Sequence, residues 1–317
     1  MRYHSLAKLI LIPLLLCISF LAYADNSYSK IFIFGDSISD SGNLASVIGG
    51  IPAPYYKNRV SNGPVAVDTF TAKLGFNANP SLHLIGLNAG DNYSVAGAKA
   101  SGNEGQDLDM QILAFQANYN FNAPEDALYV IFLGGNDVRA ATYQTDPAIA
   151  ESIIQTANNK IQNAINVLYQ SGARSFLVIN VPNIALIPET RLNAEASKNP
   201  ALINRAADFS KMLNKKLHKT IEKIEDIKNI NIKQFNLFKL FNKIVEKAAK
   251  FGFTNVTDAC FSPVIPAFHP DCNNGLNADQ FIFFDEIHPT TRVHTMFGEA
   301  FYKKINNDED EEDKNDD

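Results

Sequence analysis

A serine that directly follows an apolar run is the first candidate for chemistry in this sequence. The stretch from Ile31 to Asn43 reads IFIFGDSISDSGN, and it places Ser37 between Asp36 and Asp40. A tight turn between a buried strand and a helix can hold a serine exposed and rigid, which is the geometry of a nucleophile. A serine hydroxyl is a poor nucleophile alone, so the sequence must also supply an imidazole that takes its proton and a carboxylate that orients the imidazole.

One histidine has an acidic residue at a suitable spacing. In the stretch FFDEIHPTT, Asp285 precedes His288 by three residues, which brings the carboxylate toward the ring on a loop or a first helical turn. Pro289 supports a turn into a final helix, predicted over Thr290–Lys304. Taken alone, the aspartate and the histidine could equally cap that helix. The remaining candidate bases are His83, His218, His269 and His294.

Negative charge that develops on an attacked carbonyl oxygen requires preorganised hydrogen-bond donors. The backbone N–H of Ser37 is one donor by its position in the turn. The N–H of Gly97, in NYSVAGAKA, is a second, because a residue without a side chain lets its backbone approach a substrate. The side-chain amide of Asn136, in GGND, is a third. Each also has an ordinary structural explanation, with Gly97 as a packing glycine and Asn136 as a turn residue.

Four short blocks carry a family resemblance. GDSISDSGN, NYSVAGA, GGND and DEIHP resemble the four signature blocks of the GDSL (SGNH) hydrolases, in the same order and across most of the chain. The segment YYKNRVSNGPVAVD, Tyr55 to Asp68, resembles the stretch that follows the nucleophile in the lipase branch of that family. Two positions depart from the usual blocks, with Ile38 in place of leucine and Ala96 in place of the first of two glycines. Neither change removes a proposed catalytic atom.

The resemblance implies a role for each of these residues. Ser37 matches the nucleophile, His288 the base, and Asp285 the acid that orients the base. Ser37, Gly97 and Asn136 match the groups that form the oxyanion hole. Four further motif residues are expected to support the turns: Asp36, Asp40, Asn43 and Asp137. Asp137 is the leading candidate to hold the catalytic residues in place without contacting the substrate.

The same resemblance implies a flavodoxin-like three-layer α/β/α sandwich with a parallel central sheet, the SGNH hydrolase fold. It also implies ester hydrolysis through an acyl-enzyme, with no metal and no organic cofactor. Within the family, the chain resembles most the exported bacterial lipases and lysophospholipases, a branch that includes glycerophospholipid–cholesterol acyltransferases. We therefore expect a lysophospholipase A or phospholipase A that acts on a lysophospholipid or phospholipid and meets a membrane or micelle surface transiently. An acyltransferase, a carbohydrate or short-chain esterase, and a non-enzymatic binding module are the alternatives.

The pattern of apolar residues predicts the elements that position these side chains. Short apolar runs alternate with segments of helical period, which favours one α/β domain over residues 25–305 with a parallel sheet. Ligands gather beyond the carboxyl ends of the strands in such a sheet, where Ser37 and Asn136 both fall. The predicted strands are Lys30–Phe34, Leu128–Leu133, Ser175–Val181 and Asn229–Phe235, and the predicted long helices are Asp107–Tyr119, Asp146–Ser171 and Ala201–Ile227.

The first residues have the pattern of a secretory signal peptide, over residues 1–24. Arg2 and Lys8 precede an apolar run, Leu9–Leu21, and an A-x-A cleavage site ends at Ala24. The apolar run is short for a membrane span, and a retained anchor is the alternative reading. We expect the protein to be exported and extracellular.

Removal of this segment leaves two cysteines, Cys260 and Cys272, an even number in an oxidising compartment. We therefore predict a disulfide that closes the loop CFSPVIPAFHPDC. These two cysteines and His269 lack a fourth ligand, so a zinc site is disfavoured. The loop precedes Asp285, and we hypothesise that it overhangs the site until it moves or until an activating protease cuts it.

Two aromatic stretches lie on either side of Cys272, FSPVIPAF before it and QFIFFD after it. Both are candidate material for an acyl-chain groove or a lid. For QFIFFD, ordinary core packing is the favoured interpretation, because buried aromatic residues are more common than exposed ones.

Charge argues against nucleic acid as a partner. The chain carries −6 in total, of which the final stretch NNDEDEEDKNDD contributes −7 and the signal segment +2, which leaves −1 for the domain. A nearly neutral domain offers no electrostatic footprint for a polyanion. Residues 306–317 contain no apolar side chain that could offset the entropy of ordering, so we predict an acidic, disordered tail.

Overall fold

The structure is a computed structural model, and it describes residues 28–227 and 229–306. The predicted signal peptide, residues 1–24, lies outside the described residues. The predicted tail also lies outside them, apart from Asn306, which ends the helix Thr291–Asn306.

The central sheet consists of four parallel strands in the order β1–β2–β3–β4, with β1 Ile31–Gly35, β2 Leu128–Phe132, β3 Ser175–Ile179 and β4 Asn231–Phe235. β1 differs from its predicted range by one residue at both ends, and the other strands differ by one or two residues at one end, so the predicted sheet is confirmed. The strands start level with one another, since Ile31 pairs with Leu128 and Leu128 with Ser175. Their carboxyl ends therefore share one edge, where the turns after β1 and β2 carry Ser37 and Asn136.

Helices make up most of the remaining structure. The α-helices of the described residues are α1 Asn43–Ile48, α2 Ala66–Lys73, α3 Leu108–Asn118, α4 Gly135–Tyr143, α5 Pro147–Gln170, α6 Pro188–Ala196, α7 Ala201–Glu225, α8 Leu237–Glu246 and α9 Thr291–Asn306. Short 3₁₀ helices cover His83–Ile85, Ile184–Leu186, Ala248–Phe251, Pro270–Gly275 and Ala278–Gln280. The predicted long helices correspond to α3, α5 and α7, and the predicted final helix to α9. Within residues 28–227 and 229–306, no helix combines the length and the apolar character that a membrane crossing needs.

Helices cover both faces of the central sheet. Tyr129 and Phe132 of β2 are three positions apart, so their side chains point to opposite faces. The ring of Tyr129 contacts Phe115 of α3, with centroids 5.8 Å apart. The ring of Phe132 contacts Phe301 of α9, with centroids 5.7 Å apart. Because α3 packs on α5 and α5 on α4 and α7, whereas α9 packs on α2, the molecule has the expected three α/β/α layers.

A smaller unit beside the sheet surrounds the disulfide. Its strands are β5 Asn255–Ala259, which pairs in parallel with β8 Phe281–Phe283, and β6 Phe261–Ser262, which pairs in antiparallel with β7 Ala267–Phe268. A disulfide joins Cys260 to Cys272, as predicted. The apolar residues around it form what we call the disulfide cluster: Cys260, Phe261, Cys272, Ala278, Phe281 and Phe284, with Tyr55 and Phe268 packed against them.

Candidate active site

Ser37 lies in the turn that follows β1. At Gly35, the last residue of the strand, a Cβ atom would meet the carbonyl oxygen of Phe132 at 2.7 Å, so only glycine fits there. The carboxylate of Asp40 accepts hydrogen bonds from the first backbone N–H groups of α1 and from the N–H of Ala96. These bonds join the turn, the helix and the second motif block, so Ser37 is held on a rigid loop with 7% of its surface exposed.

Asp285 and His288 lie on one loop between β8 and α9. The Oδ1 atom of Asp285 accepts hydrogen bonds from the backbone N–H groups of Ile287 and His288, at 2.9 and 2.7 Å. Nδ1 of His288 lies 2.8 Å from Oδ2 and 2.9 Å from Oδ1. An ionised carboxylate only accepts hydrogen bonds, so Nδ1 carries the hydrogen and Nε2 is left as an acceptor.

The loop with His288 meets the turn with Ser37. The hydroxyl oxygen of Ser37 lies 2.9 Å from Nε2 of His288, and the hydroxyl donates to the ring. Hydroxyl, imidazole and the carboxylate of Asp285 therefore form a continuous chain of hydrogen bonds. Such a chain allows the imidazole to take the hydroxyl proton while the oxygen attacks an electrophile.

Two buried groups near the His288 ring have pKa values below their ordinary values. Burial raises the pKa of Asp285, but the His288 ring and the backbone N–H groups of Ile287 and His288 outweigh this effect and lower it. Burial lowers the pKa of His294, on α9, to about 3. Neutral His294 accepts a hydrogen bond at Nδ1 from the N–H of Ala66, at 3.2 Å. Asp285 is therefore ionised and His294 is uncharged at neutral pH.

The segment with Gly97 runs alongside β1. The N–H of Val95 donates to the carbonyl oxygen of Gly35 at 3.1 Å, which brings this segment next to the Ser37 turn. Gly97 has a φ of +86°, a left-handed conformation that favours glycine. Within residues 28–227 and 229–306, the backbone N–H groups of Ser37 and Gly97 have no acceptor, which leaves both available to a ligand. Gly97 itself does not line the cleft described below, whereas Ser37 and Asn136 do.

The side chain of Asn136, in the first turn of α4, is fixed by two hydrogen bonds. Its Nδ2 donates to the carbonyl oxygen of Ala98 at 2.9 Å, and its Oδ1 accepts from a guanidinium nitrogen of Arg139 at 2.8 Å. Arg139 is held in turn by a two-pronged ion pair with Glu189 of α6. One N–H of the Asn136 amide remains for a ligand. Arg139 was not among the site residues predicted from the sequence, although its spacing of three residues from Asn136 on a helix places both side chains on one face.

The other acidic and amide residues of the motifs support the turns. Asp137 accepts hydrogen bonds from the backbone N–H groups of Ala100 and Ser101, at 2.9 and 2.7 Å, and ties the segment after Gly97 to α4. Asn43 donates to two backbone carbonyl oxygens of the segment before Gly97. Asp36 accepts from a backbone N–H of its own turn, and burial raises its pKa to about 7.

A tyrosine that the sequence analysis did not single out contacts Asp285. The hydroxyl of Tyr55 donates to Oδ2 of Asp285 at 2.8 Å. Burial and the charge of Asp285 raise the pKa of Tyr55, so the hydroxyl stays protonated and acts as a donor. Tyr55 begins the segment that resembles the lipase branch, but no spacing rule points to a contact between residues 230 positions apart.

A mainly apolar cleft opens beside Ser37. Its polar lining residues are Asp36, Ser37, Asn136, Arg139 and His288. The other lining residues are Gly135 and the apolar residues Ile38, Pro182, Ile184, Ile187, Phe241, Phe283, Ile287, Pro289 and Phe297. Residues 281–285 of the stretch QFIFFD are buried, as favoured, and contribute Phe283 to this lining, whereas Gln280 is exposed. The stretch FSPVIPAF contributes no residue to the lining.

Family membership follows from a match over most of the chain. The family model described as GDSL-like lipase/acylhydrolase matches residues 31–301. The chain belongs to this family. The match includes all four motif blocks and the full hydrogen-bond chain from Ser37 to Asp285. As a GDSL-family protein, it is a hydrolase that acts on esters.

Curated relatives of this GDSL-family protein span most of its length. It is similar to the phosphatidylcholine-sterol acyltransferase of Aeromonas hydrophila, with 25% identity over an alignment 318 positions long. The alignment covers 86% of this chain and 89% of that protein. It is also similar to lipase 1 of Photorhabdus luminescens, with 22% identity over 93% of this chain and 53% of that protein. Among solved structures, it is similar to a carbohydrate acetylesterase from Sinorhizobium meliloti, with a TM-score of 0.47 and 12% identity over 87% of this chain and 97% of that one.

Proposed function

We propose that this protein is a secreted serine esterase that hydrolyses acyl esters of lipids, with lysophospholipase A or phospholipase A activity. One observation carries the proposal. The Ser37 hydroxyl oxygen lies 2.9 Å from Nε2 of His288, while Nδ1 of the same ring lies 2.8 Å from Asp285. This is the geometry of a serine nucleophile with its general base and the acid that orients the base.

In the proposed cycle, Nε2 of His288 takes the Ser37 proton as the hydroxyl oxygen attacks the ester carbonyl. Asp285 orients the ring through Nδ1–H and stabilises the imidazolium that forms. The tetrahedral intermediate collapses, the carbon–oxygen bond to the alcohol breaks, and the imidazolium gives its proton to the departing alcohol. A water molecule, deprotonated by the same ring, then attacks the acyl-enzyme and releases the fatty acid and free Ser37.

The proposed oxyanion hole consists of the N–H groups of Ser37 and Gly97 and the side-chain amide of Asn136. Support comes from the two backbone N–H groups, which lack an acceptor among the described residues. Arg139 contributes through Asn136, because a guanidinium on Oδ1 polarises the amide and strengthens its N–H as a donor. In the proposed cycle, these donors stabilise the negative charge that develops on the carbonyl oxygen in the transition state.

The apolar cleft supports a lipid ester as the substrate. Its lining by Ile184, Ile187 and Phe241 favours the first carbons of an acyl chain, whereas a sugar ring would lose hydrogen bonds to water there without replacement. The names of the relatives point the same way, since one is a phosphatidylcholine-sterol acyltransferase and another a lipase. The first name also favours a second candidate function, in which a sterol hydroxyl replaces water in the last step.

Product analysis tests this proposal. The purified protein is incubated with lysophosphatidylcholine, phosphatidylcholine or an acetylated sugar, each with and without cholesterol. We expect free fatty acid from the phospholipid substrates. The Ser37→Ala protein should lose at least about 10³-fold of this activity, because the nucleophile is absent. Ser46→Ala is the matched control, a serine of α1 that does not line the cleft.

The other outcomes of this experiment assign different functions. Cholesteryl ester as the main product would identify an acyltransferase. Acetate from the sugar, with no fatty acid from either lipid, would identify a carbohydrate esterase. A wild-type protein that neither turns over an ester nor reacts at Ser37 with a fluorophosphonate would be a binding module, and the proposal would be wrong.

The hairpin of β6 and β7 is the proposed contact with a membrane or micelle. Its tip carries Val264 and Ile265, which are 82% and 74% exposed. Two adjacent apolar side chains gain free energy when they leave water for a lipid interface. The double replacement Val264→Ser/Ile265→Ser should weaken binding to phosphatidylcholine vesicles and leave hydrolysis of a soluble butyrate ester unchanged. Val47→Ser/Ile48→Ser, an exposed apolar pair of α1, is the control.

The disulfide between Cys260 and Cys272 supports the proposed export, because such bonds persist in oxidising compartments. N-terminal sequencing of the protein recovered from culture medium tests cleavage after Ala24. The exposed hairpin tip is also the proposed cutting site of an activating protease, since the disulfide would keep the two ends together. Equal rates of ester hydrolysis before and after limited proteolysis would show that cleavage does not activate the protein.

A further inference from the structure

Both oxygens of the Asp285 carboxylate have donors other than the His288 ring. Oδ1 accepts two backbone N–H groups, and Oδ2 accepts the hydroxyl of Tyr55 at 2.8 Å. Among the described residues, Tyr55 is the only side chain besides His288 that donates to this carboxylate. Rotation of the carboxylate would therefore break bonds at both oxygens. Without the tyrosine hydroxyl, Oδ2 would be held by the imidazole alone.

The disulfide cluster holds the Tyr55 ring in place. The ring packs edge-to-face on Phe261 and Phe284, with centroids 5.9 and 5.3 Å away. The N–H of Phe261, the residue after Cys260, donates to the carbonyl oxygen of Phe284 at 2.7 Å. Phe284 directly precedes Asp285. The same cluster thus positions the donor and the acceptor of the Tyr55–Asp285 hydrogen bond.

We propose that Tyr55 is a positioning residue for ester hydrolysis and that it acts through Asp285, with the disulfide cluster as its support. This inference rests on the function proposed above. The hydroxyl holds the carboxylate in the orientation that keeps Nδ1–H of His288 bonded while Nε2 exchanges its proton with Ser37 and the leaving group. A buried carboxylate that lacks one donor can turn or admit water, and the ring then spends less time aligned with Ser37.

The substitution Tyr55→Phe removes the hydroxyl and keeps the ring in the cluster. With p-nitrophenyl butyrate, a soluble ester, we expect kcat to fall about tenfold with KM unchanged, the usual scale for a hydrogen bond to a charged group. The melting temperature should change little, because the aromatic contacts remain. Tyr56→Phe is the matched control, since no contact of the Tyr56 hydroxyl with Asp285 exists in the described residues.

A second comparison separates positioning from a general structural role. In an Asp285→Ala background, Tyr55→Phe should change the rate of ester hydrolysis and of fluorophosphonate labelling less than about twofold, because the partner through which it acts is gone. Tyr55→Met, which also removes the ring, should match Tyr55→Phe in kcat and melt at a lower temperature. This second variant separates the effect of losing the ring from the effect of losing the hydroxyl, even if the disulfide cluster loosens.

The outcomes distinguish this inference from the proposed function. If the wild-type protein hydrolyses the ester and is labelled at Ser37, but Tyr55→Phe has the wild-type kcat, the positioning role is overturned. The role is also overturned if the effects of Tyr55→Phe and Asp285→Ala multiply in the double variant. If the wild-type protein is neither active nor labelled, the proposed function is wrong and the role of Tyr55 is wrong with it.

Discussion

The hydroxyl oxygen of Ser37 and Nε2 of His288 lie 2.9 Å apart although 251 positions separate the two residues. The segment between α1 and α2 helps to join these two ends of the chain. The hydroxyl of Ser61 donates to the carbonyl oxygen of Pro289 at 2.9 Å, and the side chain of Asn62 accepts the N–H of Thr291 at 2.8 Å. The loop with His288 is therefore attached to the structure that follows the Ser37 turn.

Replacement of Asn136 by alanine tests the oxyanion hole. We expect kcat for a soluble ester to fall about 10²- to 10³-fold, because one donor to the transition state is lost. KM should change much less, since the ground-state carbonyl needs this donor less than the oxyanion does. Steady-state kinetics measures the changes in kcat and KM separately. The control is Asn159→Ala, on the exposed face of α5. A rate equal to that of the wild-type protein would show that Asn136 is not part of the oxyanion hole.

A larger side chain at Ile187 should shorten the acyl chains that the protein accepts. Ile187 lines the cleft, so Ile187→Phe fills space that a long chain would occupy. We expect kcat/KM for a decanoate ester to fall roughly 10- to 100-fold relative to that for an acetate ester, the usual scale for lost apolar contacts and clashes. The control is Leu192→Phe, an exposed position on α6. An unchanged chain-length profile would place the acyl chain elsewhere.

Stability should fall in acid in part because of His294. Burial lowers the pKa of His294 to about 3, whereas an unfolded histidine titrates near 6.5. Between these values the unfolded chain binds the proton and the folded chain does not, so the contribution is complete above pH 6.5 and is lost as the pH falls. The slope is about 1.4 kcal/mol per pH unit for one proton.

The variant His294→Asn checks this assignment, because its amide oxygen can accept the N–H of Ala66 but does not titrate. Denaturant unfolding between pH 6 and 4 should show a pH slope smaller than that of the wild-type protein by about the same amount. Asp36 has a raised pKa of about 7, which acts in the opposite direction, but it is present in both proteins and cancels in the comparison. Parallel pH profiles for the two proteins would contradict the prediction.

Loss of the disulfide should reduce both stability and rate. Cys260 and Cys272 are 12 positions apart, and the chain-entropy model gives about 3 kcal/mol for a closed loop of this size. Cys260→Ser/Cys272→Ser should lower the free energy of unfolding by about this amount and reduce kcat, because the cluster that supports Tyr55 loosens. Urea unfolding and ester kinetics measure the two effects. In a Tyr55→Phe background, the loss in kcat should largely disappear.

Much of the site could be predicted from local pattern. The apolar runs that became β1 and β2 are parallel and begin level, so their following turns had to meet at one edge, which places Ser37 near Asn136. The spacing of three residues was enough to predict the contact between Asp285 and His288. The turn between them is local, because the backbone N–H groups of Ile287 and His288 donate to the Asp285 carboxylate. In each case, the decisive contact depends on neighbours along a strand or a loop.

Other contacts depended on how the loops pack. The strands β6, β7 and β8 have only two, two and three residues, which is too few for a period to appear in the sequence. The disulfide loop was expected to overhang the site, yet the cleft lining includes no residue from it, and it reaches Asp285 through Tyr55 instead.

The sequence by itself determined the fold class, the family and the residues able to carry a proton from a serine to a histidine, since these follow from periodicity and short motifs. Only the tertiary structure decided that a tyrosine hydroxyl donates to Asp285, that Arg139 donates to Asn136 and that Ile187 and Phe241 line the cleft. The physical reason is that such contacts join loops far apart in the chain, and their distances are set by the packing of whole elements rather than by any local spacing.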